Sequence, residues 1–174
     1  MDLSNQRLRE MVLPPFQAAA NAGSATFMNA FNTLNGVPAS MDKNLITNIL
    51  RGEWAWKGMV VSDWNSFGET LVHGAAEDET DASAKCLLAG SDMDMAGGTF
   101  QKGLKKALES GRVTQAHIDE AVRRVLRFKF SLGLFEDPFR YLNQKRHDET
   151  LEKPAYREVA REAAAKSMVL LKND

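Results

Sequence analysis

A chain of 174 residues suits one domain of ordinary size, with enough length to bury a core. Its 44% hydrophobic and 26% charged residues match an ordinary globular composition. Twenty-two basic and 23 acidic side chains give a formal net charge of -1, with no basic stripe, which excludes the electrostatic footprint of a nucleic-acid-binding protein and leaves a neutral ligand open.

Residues 6–20 read as a helix complicated by Pro14-Pro15, because proline breaks or starts a helix. Residues 25–31 form a short, largely apolar run that reads as a buried strand. Residues 41–51 read as a helix with Ser40 as N-cap and Gly52 just past its end. A second buried strand is expected at Gly58-Met59-Val60-Val61-Ser62. After a helix over residues 78–88 comes a third, shorter strand at residues 90–95. A helix over 100–109 ends at Ser110-Gly111, and Thr114 caps the strongest helical pattern, over 115–132. In it Ile118, Ala121, Val122, Val125 and Leu126 form an apolar stripe that Lys129 interrupts. Strands alternating with helices predict βαβ units and a parallel sheet.

The composition shifts after Phe139. Residues 143–153 are polar and charged and read as a linker. An alanine-rich helix is expected over 155–166, and Ser167-Met168-Val169-Leu170-Leu171 reads as the start of a strand. The sequence stops right after it, which reads as truncation. No run approaches the roughly 18 apolar residues of a membrane-spanning helix. Residues 1–7 lack a basic segment followed by an apolar one, so they do not read as a signal peptide. In a truncated chain that leaves the compartment unknown. Cys86, the single cysteine, lies in an apolar helical stretch and reads as a buried structural thiol.

Asp63 directly follows the second strand run, so it is expected at the C-terminal end of a buried strand. Functional residues of parallel barrels and open α/β sheets gather there. Trp64 comes next. An acid beside a tryptophan suits a sugar site: the carboxylate attacks or stabilises an anomeric carbon, and the ring packs on a pyranose. The structural alternative for Asp63 is an N-cap or turn aspartate. Asp92 and Asp94 close the third strand and read either as sugar ligands or as hydrogen-bonded loop acids. His73, His117 and His147 have no ligand-like spacing, and no converging set of metal ligands is present. Glu77 to Asp81 place acids at a helix start, which suits the helix dipole. Gly97-Gly98 leaves a phosphate-binding barrel as a further reading, one that predicts affinity for sugar phosphates.

The run Trp56-Lys57-Gly58-Met59-Val60-Val61-Ser62-Asp63-Trp64 resembles the nucleophile segment of glycoside hydrolase family 3, the β-glucosidase and exoglucanase family. Residues 27–38 resemble the preceding barrel strand and loop of that family, and residues 89–95 its last strand. Residues 122–138, with Gly133-Leu134-Phe135, resemble the barrel's closing helix and exit. Residues 163–173 resemble the entry into the family's second, α/β-sandwich domain. The likeness covers nearly the whole chain in order, and within the family it points to the bacterial periplasmic β-glucosidases.

The resemblance implies an α/β fold: the last strands and helices of a (β/α)8 TIM-like barrel over residues 1–140, then a linker and the first elements of an α/β sandwich over 141–174. It implies that Asp63 is the nucleophile and that Trp64 flanks the sugar next to the cleaved bond. It places Met28 and Phe31 on the strand that lines the glycone pocket. Phe31 stands where many members have a tyrosine that hydrogen-bonds the nucleophile, and a phenyl ring has no hydroxyl to do so. The implied parent is an exo-acting, retaining β-glucosidase that hydrolyses terminal non-reducing β-D-glucosyl residues from a β-glucoside or oligosaccharide. It needs no cofactor or metal and has a periplasmic or secreted location. The missing barrel half and second domain, including the acid/base residue, lie outside this chain, and the isolated chain is expected to be inactive. The rival reading is a non-catalytic piece, a carbohydrate-binding or complementation module whose open sheet edges pair with another chain or with a second copy of itself.

Overall fold

The computed structural model describes residues 1–151 and 153–173. They fall into two compact units, Met1–Leu132 and Gly133–Asp174.

The first unit opens with α1 (Asn5–Arg7), capped by the Ser4 side chain, which passes through a π-helical stretch, Leu8–Val12, into α2 (Leu13–Asn21). The two prolines start α2 rather than break it, because its first turn needs no amide donors there. Strand β1 (Thr26–Met28) pairs in parallel with β4 (Met59–Val61), in the register Thr26↔Met59, Phe27↔Val60 and Met28↔Val61. Between them lies a hairpin, β2 (Thr33–Leu34) and β3 (Val37–Pro38). Its turn is Asn35-Gly36, with φ of 50° and 83°, the left-handed pair that a tight hairpin demands.

The helix expected over 41–51 is a π-helix, Asn44–Glu53. Ser40 does not cap it. Asp42 Oδ1 accepts the Asn44 and Leu45 amides at 2.8 and 3.1 Å, while the Ser40 hydroxyl is buried against Ser66. The loop after β4 leads into α3 (Ser66–Val72), then α4 (Glu79–Ala89), α5 (Thr99–Glu109) and α6 (Gln115–Ser131). Thr114 precedes α6 as expected, and His117 Nδ1 accepts the Thr114 amide at 3.1 Å. The third predicted strand is reduced to one parallel bridge, Val61↔Met93. Side chains replace backbone at both ends of this pairing: Asp92 Oδ2 takes the Val60 amide and Ser62 Oγ takes the Met95 amide.

Two apolar clusters hold the unit together. Ile46, Leu50, Trp56, Val60 and Ala89 pack the sheet against the helices, with Phe27 edge-on to Trp56 at 5.0 Å. Ala84, Leu87, Ala107, Val113 and Ala121 join α4, α5 and α6. Each large side chain buried this way contributes about 1.5–3 kcal/mol. Gly103 lets α5 approach α4 closely, since a Cβ there would stand 2.1 Å from the Glu79 carbonyl oxygen. The apolar stripe of α6 is only partly covered: Ala121 is buried, whereas Val122 and Leu126 are exposed.

In the second unit, the stretch read as a linker contains α7 (Gln144–Leu151). Asn143 Oδ1 accepts the Arg146 amide, and Gln144–Asp148 and Lys145–Glu149 pairs lie one turn apart, so local interactions form a helix without an apolar face. The alanine-rich segment is α8 (Pro154–Ser167). Residues 168–171, expected to start a strand, are neither helical nor paired into a sheet. A lone extended segment has no ladder to make it a strand.

Candidate active site

Because β1 and β4 are parallel, the segments that follow Met28 and Val61 emerge at the same end of the sheet. The ladder extends one bond further on the β1 side, with the Asn29 amide donating to the Val61 carbonyl at 2.9 Å. Asp63 stands at this end, half-buried. Its Oδ1 accepts the Trp64 amide at 2.7 Å, and Oδ2 makes no hydrogen bond among the described residues. The carboxylate is therefore held by one oxygen and offers the other.

The main chain around Asp63 is tightly fixed. Its carbonyl accepts from Ser62 Oγ at 2.8 Å and from the Ser66 amide at 3.1 Å. Asn65 adopts a left-handed conformation with φ of 55°, which turns the chain into α3, and its amide donates to the Met95 carbonyl at 2.9 Å. Under this loop lies a buried polar cluster. Ser66 and Ser40 hydroxyls meet at 3.0 Å, and the Ser91 hydroxyl contacts Asn29 Oδ1 at 3.1 Å and the Ser40 carbonyl at 3.2 Å. These contacts tie the segments after β1, β3 and β4 to the Met93 segment. Buried polar groups that are fully paired fix a single local arrangement.

Trp64 is 67% exposed, Met28 53% and Phe31 41%. All three are large exposed apolar side chains on the segments that leave the sheet at the end where Asp63 stands. Met28 ends β1, and Phe31 lies in the loop between β1 and β2. His73 caps the far end of α3 and is exposed, a helix away from Asp63. Among the described residues no group of three or more His, Cys, Asp and Glu side chains is placed to hold a metal.

Asp92 and Asp94 differ from each other. Asp92 is buried, with Oδ2 bound to Arg51 Nη2 at 2.6 Å and to the Val60 amide at 2.8 Å, and Oδ1 bound to Arg124 Nη1 at 2.8 Å. Both oxygens are engaged in holding strand and helices together. Asp94 Oδ2 accepts the Phe100 amide at the start of α5, at 3.2 Å. Ser62 and the Ser40–Ser66 pair were missed in the sequence. A serine at the end of the apolar run Met59-Val60-Val61 is the signal that points to Ser62, since a buried hydroxyl needs partners.

An apolar cleft of about 220 Å³ lies beside β1, lined by residues that include Leu8, Val12, Phe16, Phe27, Leu45 and Trp54. Its walls are mostly apolar and include Met28, with Asn29 and Asn32 among the lining residues, and Asp63 does not line it.

Residues 1–128 match the Glycosyl hydrolase family 3 N terminal domain. The chain is 44% identical over 176 aligned positions to the periplasmic beta-glucosidase of Salmonella typhimurium, covering 99% of the chain and 23% of that protein. It is 40% identical to a beta-xylosidase of Formosa agariphila, covering 99% of the chain and 25% of that protein. In three dimensions it superposes on the beta-glucosidase from Listeria innocua with a TM-score of 0.87 and 37% identity, covering 100% of the chain and 24% of that structure. That enzyme has also been solved in complex with glucose. The chain thus spans about a quarter of the length of the relatives it matches. With the matched region taking in the sheet, the Asp63 loop and most of α6, the chain belongs to glycosyl hydrolase family 3, whose N-terminal domain has a TIM-barrel-like fold.

Proposed function

We propose that residues 1–140 are the C-terminal part of the barrel of an exo-acting, retaining β-glucosidase, with residues 141–174 leading into its second domain. Asp63 is the nucleophile. The observation that carries this reading is the carboxylate itself: it stands at the C-terminal end of β4, anchored by one oxygen and, among the described residues, unengaged at the other. The names of the relatives support a terminal β-glucoside or a related glycoside as substrate, and a periplasmic or secreted location.

In the first step Asp63 Oδ2 attacks the anomeric carbon and forms a C–O bond as the glycosidic C–O bond breaks. An acid supplied from outside this chain protonates the departing oxygen. In the second step that group, now a base, takes a proton from water, the water oxygen attacks the same carbon, and the Asp63 carboxylate is released. The two carboxyl groups of such a pair stand about 5–5.5 Å apart. The Trp64 amide on Oδ1 keeps the attacking oxygen turned outward, and the Trp64 ring, Met28 and Phe31 form the wall against which the sugar packs. No cofactor enters the reaction.

The test is the full-length protein that carries this chain, acting on an aryl β-glucoside. Asp63→Asn is expected to lower turnover by on the order of 10³-fold or more, with binding largely kept. Nuclear magnetic resonance of the first product should show the β anomer. An active Asp63→Asn enzyme, or the α anomer appearing first, contradicts the reading.

A further inference from the structure

We infer that Ser62 is the residue that aims Asp63, acting through the backbone and without touching the sugar; the inference rests on Asp63 being the nucleophile. Parallel pairing between β4 and the Met93 segment comes down to one bridge, Val61↔Met93. The Val60 carbonyl accepts the Asp92 amide at 2.9 Å and the Met93 amide at 3.2 Å, and the Ser62 amide donates to the Met93 carbonyl at 2.9 Å. The next bond of a regular parallel ladder would join the Met95 amide to the Ser62 carbonyl. The Met95 amide goes instead to Ser62 Oγ, at 2.7 Å. The same hydroxyl donates its proton to the Asp63 carbonyl, at 2.8 Å.

One buried hydroxyl therefore ends the ladder and grips the first peptide of the turn. Ser62 is 0% exposed, so water does not stand in for either bond. Beyond Asp63 the Ser66 amide holds the same carbonyl at 3.1 Å, and the Ser66 hydroxyl is tied to Ser40. The Asp63 peptide is fixed from both sides, and the direction in which its side chain leaves the backbone follows from that. A methyl at position 62 would leave the Met95 amide without its acceptor and free the Asp63 carbonyl on one side. Attack on an anomeric carbon is sensitive to sub-ångström placement, so the loss appears in the chemical step more than in binding.

The test compares wild type, Ser62→Ala and Ser62→Thr in the full-length protein with an activated aryl β-glucoside. Turnover is expressed per molecule whose Asp63 takes a 2-fluoroglucosyl label, so misfolded molecules do not count. Ser62→Ala is expected to lower kcat by about 10–100-fold while KM changes by less than about threefold. Ser62→Thr, which keeps the hydroxyl, should recover most of the lost kcat. A kcat for Ser62→Ala within about twofold of wild type, or a Ser62→Thr enzyme as slow as Ser62→Ala, overturns the inference. A wild-type enzyme that takes no label on Asp63 overturns the nucleophile assignment itself, and this inference with it.

Discussion

Arg51 Nη2 lies 2.6 Å from Asp92 Oδ2, and that oxygen also accepts the Val60 amide, so a buried ion pair is fastened to the strand that leads into Asp63. Arg124 of α6 closes the group on the other carboxylate oxygen, at 2.8 Å. Arg51 further donates to the Gly58 and Gly90 carbonyls and lies 5.5 Å from the centre of the Trp56 ring. Burial pulls the Arg51 guanidinium below its usual range, and the Asp92 carboxylate opposes that pull.

Removing one member of such a group leaves charge buried without compensation. Asp92→Ala is expected to cost about 3–5 kcal/mol of stability. Asp92→Asn, which keeps an acceptor for the Val60 amide, should cost less. Urea unfolding of the two variants checks this, and a loss under about 1 kcal/mol for Asp92→Ala would contradict it.

Gly103 offers a test of opposite sign to helix propensity. In an exposed helix interior, alanine is favoured over glycine by about 1 kcal/mol. At Gly103 a Cβ would meet the Glu79 carbonyl at 2.1 Å and Ser83 Oγ at 2.3 Å, so α5 would have to move away from α4. Gly103→Ala is expected to destabilise by about 1–3 kcal/mol despite its better propensity. Thermal unfolding reads the sign directly.

Cys86 gives a pH dependence. Burial, and second the nearby Asp94 carboxylate, push its thiol far above the ordinary range. An unfolded thiol titrates near about 8.5. Above that pH the unfolded chain binds fewer protons than the folded one, so stability falls as pH rises. The slope from this group reaches about 1.4 kcal/mol per pH unit, and its full contribution is present below about pH 8.5. Unfolding of wild type and Cys86→Ala between about pH 7.5 and about pH 9.5, one unit either side of the unfolded thiol's value, separates this from other groups: the difference between them should shrink as pH rises. A constant difference contradicts the account.

Much of this was legible in the residues. The apolar runs around Thr26 and Val60 announced β1 and β4, and the position of Asp63 after Ser62 placed it at the C-terminal end of the sheet. The helices α4, α5 and α6 followed from their caps and spacing. The third strand was overestimated, because its ends are satisfied by the side chains of Asp92 and Ser62, and such substitutions leave no periodic trace. The hairpin was missed although Asn35-Gly36 is a strong turn signal, since two-residue strands carry too few side chains to show alternation. Helix α7 was read as a linker because it lacks an apolar face and rests on local pairs. Which serine meets which, in the Ser40–Ser66 and Ser91–Asn29 contacts, depends on tertiary placement alone.

The extent of the chain yields a prediction of its own. It spans about a quarter of its relatives' length, and the proposed mechanism draws its acid/base group from outside it. The 174-residue chain alone is expected to show no turnover of an unactivated disaccharide. Glucose release measured over a day checks this, and sustained release by the pure chain would mean that an acid/base group lies within it.

The most direct measurement is mass spectrometry of the full-length protein after incubation with a 2-fluoro glucoside that bears an activated leaving group. Such a substrate needs little help from an acid, so it reports on the nucleophile alone. A fluoroglucosyl adduct on the peptide that contains Asp63, absent in Asp63→Asn, is the predicted result. An adduct on a different carboxylate, or none while the enzyme still hydrolyses β-glucosides, would contradict the account.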